Sequence, residues 1–206
     1  MIKFDYTNTK ARLYPQDNCP LIKVIGALPT IVSDGLMGAK CWVAGGFIRR
    51  WFNNLKQDSD IDLFFTNIEF YNLVCEALNA RTIEPVKVNQ FNQMYKIKVD
   101  DKWTIPVQAI CHQYYPNISE LLDSFDFTIC QFAYDGFTIH TTENAVLDCT
   151  RKRLVPHKIK YGVSSLRRII KYSQQGYYMC GGAASSFLTQ IVQNPDNIKG
   201  EVISVD

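Results

Sequence analysis

Gly45-Gly46-Phe47-Ile48-Arg49, followed by Asp60-Ile61-Asp62, is the stretch whose reading decides the fold. Glycines lack side chains, so the backbone N–H groups of Gly45 and Gly46 can approach a polyphosphate closely. Trp42-Val43-Ala44 reads as a strand ending in that glycine pair. Phe47, Ile48, Trp51, Phe52 and Leu55 then recur at helical spacing, which gives strand, glycine turn, helix. Asp60 and Asp62 border the apolar run Ile61 to Phe65, a buried strand. Residues i and i+2 of a strand share a face, so both carboxylates leave one side a few ångströms apart. Two hard oxygen donors, completed by phosphate oxygens and water, suit Mg²⁺ or Mn²⁺. Arg49, one turn into the helix, is placed to fork onto phosphate oxygens, where the helix N-terminus adds partial positive charge.

The remaining elements work outward from this turn. Leu21 to Met37 fits one or two short helices broken at Pro29, after a polar, irregular first twenty residues. Thr66 with Glu69 fits a capping box for a helix through about Ala80. Extended runs follow near 82–89, 94–99 and 103–111, with Asp100-Asp101 as a hairpin turn. Asn117 with Glu120 opens a short helix to about Ser124. Phe127 to Tyr134 reads as a strand that Asp135-Gly136 turns into Phe137 to Ile139. Helices are expected over 164–175, stopping at Gly176, and over 182–193. The order is an α+β mixed sheet flanked by helices, with residues 1–160 as the main domain and 161–206 as a short helical tail.

The chain has 206 residues, 47% hydrophobic, with net charge +2, so a core is available and no global polyelectrolyte character exists. Its 7 cysteines form no Cys-x-x-Cys pair, which points to free thiols in a reducing cytoplasm. No apolar run approaches the roughly 20 residues of a membrane span, and no secretory signal pattern opens the chain. His112, His140 and His157 lack metal spacing. Asp58 is expected at the surface. Charge is uneven, however: no Asp or Glu occurs from Cys149 to Pro195. That segment carries Arg151, Lys152, Arg153, Lys158, Lys160, Arg167, Arg168 and Lys171, interleaved with Tyr161, Tyr172, Tyr177 and Tyr178. Such a segment attracts a phosphate backbone and offers rings for base stacking; the alternative is a solvated basic helix face.

The glycine pair and Asp60-Ile61-Asp62 resemble the head domain of bacterial-type poly(A) polymerases and CCA-adding tRNA nucleotidyltransferases. Asp126-Phe127-Thr128-Ile129, trailed by Ala133-Tyr134-Asp135, is similar to a second segment of that family. Leu166-Arg167 with Gly176-Tyr177 resembles its neck helix. The three matches come in family order. The resemblance implies a nucleotidyltransferase, polymerase-beta-like fold, with Asp60 and Asp62 holding the catalytic cations and Gly45, Gly46, Arg49 and Asp126 meeting the nucleotide. Asp126 either touches nucleotide or pins its segment. The resemblance implies a nucleoside triphosphate, ATP among the candidates, without selecting which one. Because the neck lies beside the primer path, the resemblance also implies RNA contact by Arg151, Lys152, Arg153, Arg167, Arg168 and Lys171.

Departures from the family are specific. Ser124 and Phe125 replace two arginines, and Arg50 replaces an acid. Gln108, in the strand-like run Ile105 to Ile110, stands where the wider superfamily carries a third carboxylate. Ile170 replaces a neck arginine. Little chain follows the neck to measure a tRNA, so CCA addition is not expected. Three readings stay open: an NTP-dependent transferase acting on an RNA 3′ end or on a protein or small-molecule hydroxyl, a nucleotide- or RNA-binding module without transfer, and a protein-interaction scaffold.

Overall fold

A computed structural model describes residues 1–5, 20–56 and 59–195. In chain order its elements are β1 (Ile2–Asp5), α1 (Pro20–Ala27), α2 (Thr30–Met37), β2 (Cys41–Ala44), α3 (Gly46–Phe52), β3 (Ile61–Phe65) and α4 (Ile68–Asn79). There follow β4 (Lys87–Val88), β5 (Asn92–Lys98), β6 (Thr104–Ile110), α5 (Ile118–Asp123), a 3₁₀ turn (Thr128–Cys130), β7 (Phe132–Tyr134) and β8 (Thr138–Thr141). Helices α6 (Glu143–Thr150), α7 (Gly162–Gln174) and α8 (Gly181–Gln193) complete the described chain. The fold is α+β, as the pattern predicts.

Two compact units are present: residues 1–121 with 132–141, and residues 122–131 with 142–206. These are units of compactness; the functional division into 1–160 and 161–206 is a separate proposal. The first unit holds one sheet of 8 strands, ordered β1-β8-β7-β2-β3-β6-β5-β4. All its neighbours are antiparallel except β3 and β6. The central strands are near-continuous apolar runs, as strands covered on both faces must be. β2 is buried throughout, and Asp62 is the one residue of β3 that is not. Trp42, Phe47, Ile61, Leu63 and Phe65 anchor this core at 2% exposure or less.

Several expectations need correction. Ile2–Asp5 is a strand, pairing with β8 from Ile2↔Thr141 to Asp5↔Thr138. Helix α4 is capped by Asn67, whose side chain accepts from Phe70 N, because the Thr66 hydroxyl donates to Lys40 O instead. The strand expected over 127–134 is broken: Thr128–Cys130 winds into a 3₁₀ turn and only Phe132–Tyr134 is extended. Helix α6, capped by the Thr142 side chain accepting from Ala145 N, was not expected at all. The expectation for Asp58 lies outside the described residues.

Asp135-Gly136 does turn β7 into β8. Asp135 Oδ1 accepts from Phe137 N (2.9 Å) and Thr138 N (2.7 Å), and Oδ2 lies 2.5 Å from His140 Nε2. Burial pushes the Asp135 carboxyl up, but the bonds from His140, Thr138 and Phe137 outweigh it and leave it well below the usual carboxylate range. A depressed folded-state pKa gives stability that is complete above the unfolded value of about 4 and is lost as pH falls through the folded value. Asp135→Asn is therefore expected to cost about 1–2 kcal/mol at pH 7, with the gap to wild type closing below about pH 4. Urea unfolding between pH 7 and pH 3 measures this; a gap that is constant with pH contradicts it.

Candidate functional site at the glycine turn

β2 ends at Ala44 and is followed by Gly45, whose φ of 82° and ψ of −135° suit only glycine. Its N–H donates to Phe132 O at 2.8 Å, and its carbonyl accepts from Arg49 N at 3.1 Å, so the helix starts at once with Gly46. A Cβ on Gly46 would stand 2.7 Å from Ser59 Oγ, which shows how closely the segment before Asp60 packs against the turn.

The sheet register then assembles the acids. Ala44, one residue before the turn, is paired with Asp62 across β2 and β3. Asp62 is in turn paired with Gln108 across β3 and β6. Residues paired across a ladder share a face, so Asp62 and Gln108 point the same way. Asp60 joins them there, because Gln108 Nε2 donates to Asp60 Oδ2 at 2.7 Å. The registers and the Gln108–Asp60 bond thus bring Asp60, Asp62 and Gln108 together beside the Gly45–Gly46 turn. Both acids are half-buried.

Asp60 and Asp62 fit a divalent cation that draws further ligands from polyphosphate and water. No cluster of three or more His, Cys, Asp or Glu that could hold a metal alone occurs among the described residues. Hard carboxylate oxygens are the donors Mg²⁺ and Mn²⁺ take. Gln108 supplies a neutral amide at the third position. Arg49 is 3% exposed, so its charge is withdrawn from solvent and is not the open phosphate fork expected.

In the second unit, Asp126 is 9% exposed and accepts from Ser165 Oγ (2.9 Å) and Arg168 Nη1 (2.7 Å). Those are the bonds of a pin holding α7 to the 126–131 segment. Asp148 holds Arg153, through Nε at 2.9 Å and Nη2 at 2.6 Å, and Thr128 Oγ1 at 2.7 Å. Arg153 and Arg168 are thus committed inside the unit, and Lys158 pairs with Asp123. Lys152 Nζ sits 4.7 Å from the Tyr177 ring centroid. Tyr172 and Tyr177 are core residues at 8% and 3% exposure, not stacking platforms. Arg151, Arg167 and Lys171 are exposed, as are Tyr161 and Tyr178. Sequence reasoning missed Asn89 and Asn92, which bond in series to Gln108.

Sheet order, glycine turn and paired acids define a nucleotidyltransferase fold. Solved CCA-adding enzymes share it. One in complex with CTP superposes with a TM-score of 0.64 at 17% identity, covering 94% of this chain and 46% of that one. The Thermotoga maritima enzyme complexed with tRNA gives 0.60 at 18% identity, with the same coverages of 94% and 46%. At these identities the likeness is one of fold. The profile of the Gabija anti-defense 2 family matches residues 23–152, and the chain belongs to that family. A Gabija anti-defense 2 protein of Bacillus phage SPbetaL7 is 26% identical over 141 residues, which are 66% of this chain and 33% of that protein. The chain thus spans about a third of this curated relative and under half of the CCA-adding enzymes. The resemblance to poly(A) polymerase and CCA-adding heads holds for the fold, while the family is a different one. No single helix among the described residues is long and apolar enough to cross a membrane.

Proposed function

We propose that this chain binds a nucleoside triphosphate, ATP first among them, together with Mg²⁺ or Mn²⁺ at Asp60 and Asp62, and transfers its nucleotide to an acceptor hydroxyl. The acceptor oxygen attacks the α-phosphorus, the bond to the β-phosphate oxygen breaks, pyrophosphate leaves, and the hydroxyl proton passes to solvent. Asp60 and Asp62 would hold a divalent cation that, when bound, would offset the charge developing on the phosphate oxygens. Asp60 and Asp62 sharing a face beside the Gly45–Gly46 turn is the observation that carries this reading. Gly45 and Gly46 would leave room for the polyphosphate at the turn, although the Gly45 N–H is already given to Phe132 O and Ser59 Oγ packs where a Gly46 side chain would stand. Arg49 would act through local positive potential, and Asp126 through the pin it forms. Residues 1–160 would serve as the catalytic head and 161–206 as the helical tail, working in the cytoplasm. Membership of the Gabija anti-defense 2 family supports reading this chemistry as a means of countering a Gabija defence system.

An RNA 3′ end is the acceptor favoured by the acid-free basic segment 149–195. With Arg153 and Arg168 committed to Asp148 and Asp126, the RNA contacts fall to Arg151, Arg167 and Lys171, with Lys152 beside them. Alanine at Arg151, Arg167 and Lys171 together is expected to weaken RNA binding and to reduce the slope of log K against log salt by about 2 for single strands. Titrations of a labelled RNA at several salt concentrations check this; an unchanged slope removes the RNA reading.

A second reading, a nucleotide-binding protein without transfer, is favoured by the neutral Gln108. Incubating the chain with each α-labelled triphosphate, pooled RNA and Mg²⁺ or Mn²⁺ separates the two. Label on RNA supports transfer. Label on protein moves the acceptor to a protein hydroxyl. Nucleotide bound but never transferred supports the second reading, and no bound nucleotide overturns both.

A further inference from the structure

Three side-chain amides run in series to Asp60, and their polarity is set at both ends. Asn89 Oδ1 accepts the backbone N–H groups of Phe91 (2.8 Å) and Asn92 (3.0 Å). A backbone N–H can only donate, so this atom is the oxygen and the other terminal atom of Asn89 is the donor. Asn89 Nδ2 donates to Asn92 Oδ1 at 3.0 Å. Asn92 Nδ2 donates to Gln108 Oε1 at 2.8 Å, and Gln108 Nε2 donates to Asp60 Oδ2 at 2.7 Å. A carboxylate oxygen accepts, so the far end demands the same direction. Asn92 and Gln108 are 2% and 3% exposed. Turning either amide over would set donor against donor and acceptor against acceptor at two buried side chains, so the orientation is fixed.

The lock decides what position 108 can offer. Gln108 is paired with Asp62 and shares its face, yet its one oxygen is aimed at Asn92 Nδ2 and not at Asp60. What it turns toward Asp60 is an amino group. Divalent cations of this class take oxygen ligands, and an N–H dipole repels them. The bond from Gln108 also uses one of the acceptor positions of Asp60 Oδ2 and fixes the direction of the carboxylate.

We infer that Gln108 is a positioning residue that holds Asp60 and closes a second cation position, so the site takes one divalent cation with its nucleotide rather than two. The inference rests on the nucleotide reading above. A cation that rides in with the polyphosphate is retained; one that would activate the attacking hydroxyl has no ligand at 108. The ligand class is therefore a mono-metal nucleoside triphosphate. Substituting a carboxylate at 108 keeps the acceptor that Asn92 needs and sets a second negative charge against Asp60, a combination that attracts a second cation.

The test counts bound Mn²⁺ by electron paramagnetic resonance on the full chain with the non-hydrolysable analogue α,β-methylene-ATP. One Mn²⁺ per chain is expected for wild type and two for Gln108→Glu. Gln108→Met, which keeps the length but removes the amide, is expected to keep one Mn²⁺ while weakening it about 10–100-fold, as loss of a partner behind a metal ligand does. Two Mn²⁺ on wild type overturns the inference and leaves the nucleotide site standing. Neither Mn²⁺ nor analogue on wild type overturns both. One Mn²⁺ on a folded Gln108→Glu, or unchanged Mn²⁺ affinity in Gln108→Met, overturns the role given to Gln108. A purely structural role would lower the melting temperature of the variants without altering the count.

Discussion

Asp60→Ala/Asp62→Ala is expected to bind Mg²⁺–nucleotide more than about 100-fold more weakly than wild type, and to transfer no label above background. Removing a group behind a metal ligand already costs about 10–100-fold, and here both ligands go. The same variant should melt within a few degrees of wild type. Two carboxylates held on one face repel each other, so their removal gives back part of what the lost Gln108 bond takes away. This separation of effects is the signature of residues kept for a ligand rather than for the fold. Calorimetric titration with Mg²⁺ and α,β-methylene-ATP, beside a thermal melt, measures both. Equal nucleotide affinity in variant and wild type removes these acids from the site. A collapse of the melt with no specific loss of affinity marks them as structural.

What could be read in the chain beforehand follows from how local each signal is. Ile61–Phe65 came out at its true bounds because five consecutive apolar or alternating positions describe a central strand. The glycine turn was legible because Gly45 and Gly46 leave few other backbone choices, and Asp62 was placed because strand parity needs no tertiary knowledge. Failures arose where a distant partner decided. Ile2–Asp5 is a strand only because β8 lies beside it, 133 or more positions along the chain. Phe127 to Tyr134 looked like one apolar strand, but Thr128 N donates to Val155 O and Thr128 Oγ1 to Asp148, which bends the segment out of the sheet. Asn67 displaced Thr66 as a cap because Lys40 O claims the Thr66 hydroxyl. Gln108 was found by its place in a strand-like run, yet its orientation depends on Asn89 and Asn92, and nothing in their spacing announces a relay. Arg153 and Arg168 read as RNA contacts because charge is visible in a sequence and ion pairing is not.

Asp148 distinguishes by experiment whether Arg153 serves the fold or the RNA surface. Its side chain is 3% exposed and carries the Arg153 fork and the Thr128 hydroxyl together. Asp148→Ala leaves Thr128 Oγ1 with only a 3.5 Å contact to Val155 O, while Arg153, 35% exposed, recovers part of its hydration. The expected cost is about 2–4 kcal/mol, at or below the usual range for breaking a buried pair, because one partner reaches water. For a chain of this size that is on the order of 10 °C in melting temperature. Arg153→Ala strands a buried carboxylate without its countercharge, so it is expected to cost at least as much. The double variant should lose clearly less than the sum, with an interaction energy of about 1–3 kcal/mol. RNA affinity supplies the counterpart: after correction for the folded fraction, Arg153→Ala should leave the salt slope unchanged, whereas Arg167→Ala should lower it with no loss of stability. Additive stabilities in the Asp148/Arg153 cycle, or a salt slope that moves with Arg153, would return that arginine to the RNA surface.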